Sequence, residues 1–119
     1  MAVVPWVVVS TPHDGVNVKL VKWAALGVSD TGQPFNVAAY TDKTVQVEGD
    51  DLTTGVTIQG SLDPAASAYR TLNDPQGNAL SAITAAKIEN ILEHPYLVRP
   101  SMGAGVSNVT VWLLLASTR

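Results

Sequence analysis

The side chains able to do chemistry are few and scattered. His13 and His94 lie about eighty residues apart, and each stands beside a proline, as Pro12-His13 and His94-Pro95. A zinc site needs three or four converging ligands, and this chain has no cysteine to offer. Both histidines therefore read as surface-turn residues. Asp50, Asp51 and Asp63 carry oxygens suited to calcium, but DxDxDG-type spacing is absent, and aspartate in a turn ordinarily bonds its own backbone. Paired-carboxylate hydrolysis needs two acids facing across a cleft; Glu48 alternates outward on a strand and the aspartates sit in turns. No serine stands in a GxSxG setting, and Gly103-Ala104-Gly105 lacks the helix start of a phosphate loop. The expectation is a protein with no catalytic residues, no metal and no cofactor.

Aromatic side chains are the remaining binding chemistry. Trp6, Trp23, Trp112, Tyr40, Tyr69 and Tyr96 could stack on sugar rings, or fill a core or an oligomer interface. Trp6 and Trp112 stand in runs that are apolar on both faces, which favours core or interface.

The chain that must position these residues has 119 of them, enough for a single core and a single domain. Only 14% of the residues are charged against 46% hydrophobic, well below the roughly 25% charge of an average soluble domain. So little charge points to surface hidden against another chain, in an oligomer or a larger assembly. The net charge is −3 and the basic residues are dispersed, which argues against a nucleic-acid partner. No apolar run approaches the eighteen or so residues of a membrane span. The first ten residues lack a basic segment and contain Pro5, making a poor signal peptide, so synthesis in the cytoplasm is expected.

Alternation of apolar and polar residues over Thr44–Ala79 sets the architecture. Val45 and Val47 alternate with Gln46 and Glu48, then Val56 and Ile58 with Thr57 and Gln59. Breaks at Gly49-Asp50-Asp51, Gly60 and Asp74–Asn78 predict antiparallel strands joined by tight turns, a hairpin needing a second sheet. Val3–Ser10 is an apolar run in which Pro5 permits only an edge strand or an entry arm, so residues 1–12 are assigned that role. Val16–Leu26 changes apolar phase near Val21, predicting a bulge there or burial of both faces. Short strands are expected over Phe35–Tyr40, Ala68–Leu72 and Tyr96–Arg99. Val106–Ser117 is apolar on both faces and predicts a central or interfacial strand. Ser81–Glu93 alone shows helical spacing, with Ile88, Ile91 and Leu92 on one side and Pro95 as a stop. The fold class is thus mainly β, an antiparallel β-sandwich of jelly-roll or immunoglobulin-like type with one short helix.

Val56–Ala79, VTIQGSLDPAASAYRTLNDPQGNA, resembles small tailed-bacteriophage head decoration or cement proteins. The shared elements are a strand ending Gly60-Ser61, an Asp63-Pro64 turn, Tyr69 before Thr71-Leu72, and Asp74-Pro75-Gln76-Gly77-Asn78. The likeness extends to Val45–Gly49, to Tyr96–Pro100 and to the apolar final strand. It departs at Leu62–Ser67, where relatives tend to carry an Asn-Asp-Gly-type turn followed by tryptophan.

The resemblance implies a jelly-roll-like or immunoglobulin-like sandwich, located on the capsid surface, that binds the major capsid protein and further copies of itself as a dimer or trimer. Candidate contact residues are Val4, Trp6 and Val8 in the N-terminal arm, with Trp112 and Leu114 in the final strand. Two alternatives stand beside it. One is a carbohydrate-binding sandwich using Tyr40, Tyr69 and Asp63; the other is a tail or head–tail connector subunit.

Overall fold

A computed structural model describes residues 2–9, 17–63, 65 and 68–117. The strands, in chain order, are β1 (Val3–Val4), β2 (Val7–Val9), β3 (Val18–Leu26), β4 (Thr31–Gly32), β5 (Phe35–Asn36), β6 (Asp42–Leu52), β7 (Val56–Ser61), β8 (Arg70–Thr71), β9 (Lys87–Asn90), β10 (Leu97–Met102) and β11 (Val106–Ala116). They form two sheets, one in the order β1-β4-β10-β7-β8 with β5 also on β10, the other in the order β2-β3-β11-β6-β9. Every pairing is antiparallel apart from the parallel contact of β1 with β4.

Period-2 alternation puts one face of each sheet inside. Val21 and Trp23 of β3, Val45 and Val47 of β6, and Val109, Val111, Leu113 and Leu115 of β11 form that face in one sheet; Val56, Ile58, Val98 and Met102 supply it in the other. The final strand takes the centre of its sheet, between β3 and β6. Trp23 lies in the core, with its Nε1 donating to the carbonyl of Gln33 at 2.9 Å. Gly32 makes room for it: a Cβ there would stand 2.7 Å from the Trp23 ring and 2.5 Å from Pro100. Pro100 is tolerated inside β10 because Ile58, its partner on β7, directs both backbone groups the other way, to Leu80 and Leu72.

The predicted hairpin is a corner instead. β6 runs unbroken through Gly49-Asp50-Asp51 and pairs with β11 and β9, whereas β7 belongs to the opposite sheet. The turn between them, closed by the Gly55 amide on the Leu52 carbonyl at 2.9 Å, carries the chain across the sandwich. Alternation reports which face of a strand is buried but not which neighbour it pairs with.

The predicted helix over Ser81–Glu93 does not form; the described residues contain no helix. Ile83 exchanges both backbone bonds with Val56, Lys87–Asn90 pair as β9 with β6, and the Ile91 amide donates to Lys43. A helix of about three turns is marginal alone, and here it competes with open strand edges that satisfy the same backbone groups. The expected apolar stripe also splits, since Ile91 is buried while Ile88 and Leu92 face outward.

The irregularity in β3 falls at Ala24-Ala25, where Ala25 has φ 59° and the register against β11 slips between Val109 and Val111. Val21 itself is regular. Its neighbours on the other face, Leu20 and Lys22, are half-buried, so the apolar phase change reflects two covered faces. The strands expected over Phe35–Tyr40 and Ala68–Leu72 shorten to β5 and β8.

Asp74-Pro75-Gln76-Gly77-Asn78 is a self-closing loop. The buried Asp74 carboxylate accepts the amides of Gln76 and Asn78 at 3.0 and 2.9 Å, and its own amide donates to the Asn78 carbonyl. Those amides, chiefly that of Asn78, hold the Asp74 carboxyl below the usual aspartate range, although burial opposes it.

Gly55 has φ 86°, and a Cβ there would meet the Ala82 backbone at 2.6 Å. Gly55→Ala is therefore expected to lower stability by about 2 kcal/mol or more, read as a lowered urea midpoint.

Candidate functional site

The two outward faces of the sandwich differ in character. The face of the β10-β7 sheet carries Thr57, Gln59, Arg99 and Ser101, with Arg99 Nε donating to Gln59 Oε1 at 2.9 Å. The opposite outward face is richer in apolar side chains. Registered across β2, β3, β11, β6 and β9, one row reads Val7, Lys22, Trp112, Gln46, Ile88, and the next Val9, Leu20, Leu114, Thr44, Asn90. Val7, Leu114 and Ile88 are exposed at 52%, 44% and 60%, values that leave these apolar side chains in water. A groove of about 280 Å³ runs beside Trp112, lined by Leu20, Thr44, Gln46, Ile88 and Leu114. The Lys22 ammonium sits over the Trp112 ring, 4.9 Å from its centre.

The expected contact residues separate into two groups. Trp112 and Leu114 lie together on this outward face. Trp6 sits where the chain leaves β1 in one sheet for β2 in the other, and it packs against the core together with Val4. Its ring meets Phe35 edge-on at 4.9 Å and its Nε1 donates to the Pro34 carbonyl at 3.2 Å. The described part of the N-terminal run thus forms two edge strands tied into the sandwich, with Val8 exposed along the β2 edge. Residues 10–12 of the predicted arm, and His13 with the turn over 11–15, lie outside the described residues.

Of the glycan candidates, Tyr40 packs on the core in the connection from β5 to β6. Tyr69 is half-buried, and the Arg99 guanidinium covers one side of its ring at 3.7 Å. Burial pushes the Tyr69 hydroxyl above its usual pKa; Arg99 opposes this and Asp63 adds to it. Asp63 closes its own turn by accepting the Ala65 amide.

Sequence reasoning missed a cleft of about 440 Å³ beside β7 and β8. It is lined mainly by Gly60, Leu62, Leu72 and Pro95, with Arg70, Glu93 and His94 at its polar side. Lys43, buried beneath, lies 3.1 Å from His94 Nδ1. Burial pushes the Lys43 ammonium below the usual lysine range, against the opposing pull of Asp42 and Glu93. Burial also disfavours ionised Glu93, but the Asn73 amide at 2.7 Å and its side-chain amide at 2.6 Å outweigh that and, with Lys43, lower its pKa. These polar groups are tied to one another, a stabilising role. Among the described residues no three His, Asp or Glu side chains group as a metal site would require.

No protein-family model matches the chain, and no curated protein does. The fold is similar to that of the SPBc2 prophage-derived protein YomS. That likeness has a TM-score of 0.66 over 93% of this chain and 99% of the other, at 14% identity. At such identity the likeness is one of fold. A Neisseria meningitidis protein (TM-score 0.43, 13% identity, 94% of this chain and 82% of that one) and a cupin domain from Bordetella pertussis (0.44, 12%, 100% and 99%) align more loosely.

Two outcomes follow from the geometry. Trp6→Ala should cost about 2 kcal/mol in urea unfolding, because it removes an edge contact and a core-facing ring, while Trp112→Ala should change monomer stability by less than about 1 kcal/mol. Glu93 is held below its unfolded pKa, so its contribution is full above the ordinary glutamate range and is lost as pH falls through the lowered folded value. Glu93→Gln should therefore show a shallower loss of stability in acid than the parent chain, measured by urea midpoints across pH.

Proposed function

We propose that this chain is a non-catalytic structural virion protein that binds the outer surface of a bacteriophage capsid and braces the head. The observation that carries this reading is the apolar outward face centred on Trp112 and Leu114, on a domain whose charged fraction is only 14%. The full-length fold likeness to a prophage-derived protein supports it, as does the sequence resemblance over Val56–Ala79. In this reading the partners are the major capsid protein and other copies of the chain, without nucleic acid, membrane or cofactor. The protein is made in the host cytoplasm and ends on the capsid surface.

The capsid is met along the β1–β2 edge, where Val3 and Val8 stay exposed beside an open strand edge. Each such contact is modest, and many copies on one shell add avidity.

Cosedimentation with heads of the phage that encodes the chain tests this. Saturable binding to expanded heads, with none to unexpanded proheads, is the expected result. Val8→Asp should weaken that binding roughly tenfold without unfolding the domain. Absence of binding to either form of the head would refute the reading.

A further inference from the structure

The outward face spans all five strands of its sheet, apolar on β2, β3, β11 and part of β9 and polar on β6, and its charges are arranged asymmetrically about the central strand. Lys22 lies on β3, to one side of β11, while Glu48 and Asp42 lie on β6, to the other. All three alternate with core-facing residues, Lys22 with Val21 and Trp23, Glu48 with Val47, and Asp42 with Lys43, so they share the face with Trp112 and Leu114.

We propose that a second copy of this chain closes this face, two five-stranded sheets stacking about a two-fold axis parallel to β11. The inference rests on the assembly reading above and names the occupant of the surface that reading depends on.

A two-fold along β11 lays β3 of one copy over β6 of the other. Lys22 is registered with Trp112 and Glu48 with Thr110, so the cation, swung off the Trp112 ring, meets the partner's acid, released from its 3.0 Å bond to Gln46 Nε2, two residues along the strand. That offset is roughly 7 Å, within the reach of a lysine side chain. A two-fold across the strands would instead lay β3 over β3 and β6 over β6, opposing like charges. Given a second copy as occupant, the charge pattern therefore favours the axis along β11.

Size agrees. Five strands at about 4.8 Å spacing and seven residues at about 3.4 Å give a face of roughly 24 by 24 Å. Two such faces bury roughly 1,150 Å², just above the ~1,000 Å² a specific interface needs. At its centre the groove beside Trp112 receives an apolar side chain of the opposing sheet, the kind of aromatic anchor on which interfaces depend. The aligned stacking is that of ordinary sheet-on-sheet packing, about 30° between strand directions.

Sedimentation equilibrium of the purified full chain, without heads, is the test. The expected result is a dimer across the micromolar range. Lys22→Glu and Glu48→Lys should each raise the dissociation constant about tenfold or more, and the double variant should restore it. Circular dichroism checks that each variant remains folded. A monomeric parent chain overturns the proposal, as does a dimer indifferent to both charge reversals or one that the double variant fails to restore. A monomer that still cosediments with heads would leave the head-binding reading standing; a rescued dimer that binds no head would do the reverse.

Discussion

Burial of β11 between β3 and β6 is the constraint on which the remaining structure depends. Its inward residues Val109, Val111, Leu113 and Leu115 reach the centre of the core, and its backbone is bonded on both sides over nearly its whole length. A strand so placed requires an apolar layer opposite, which β7 and β10 provide. The connections that join the two sheets, among them Pro5-Trp6, the loop before β4 and Leu52–Val56, let one chain contribute to both layers of one core.

The same strand explains why the surface is apolar. A central strand normally presents a polar outward face when water covers it. Here β11 turns Trp112 and Leu114 outward, and the flanking strands add Leu20, Val7, Val9 and Ile88 in register. The opposite sheet, with Thr57, Gln59, Arg99 and Ser101 outward, shows that the fold itself does not demand an apolar exterior. Stability is served by the inward faces; the outward apolar rows are surplus to it. That division separates Trp6, which closes the sheet-to-sheet crossing against Phe35, from Trp112, which does not touch the interior.

The polar groups are used in the same economical way. Asp74 closes its loop with local amides, Glu93 is clasped by Asn73, and Lys43 rests against His94. Each satisfies a buried or half-buried group, as interiors require. The Asp-Pro-Gln-Gly-Asn motif is thereby understood as a loop that fixes the path between β8 and β9.

Local pattern by itself determined the β class, the inward valines of β6 and β7, and the doubly apolar character of β11, because alternation and burial are written in neighbouring residues. Tertiary structure decided what depends on partners distant in the chain. It placed β6 and β7 in different sheets, drew Lys87–Asn90 into β9 where spacing suggested a helix, and moved the bulge to Ala24-Ala25. It also anchored Trp6 and left Trp112 outside. Both tryptophans sit in apolar runs, and which one faces water is set by strand neighbours tens of residues away, through hydrogen bonds and packing that no local window contains.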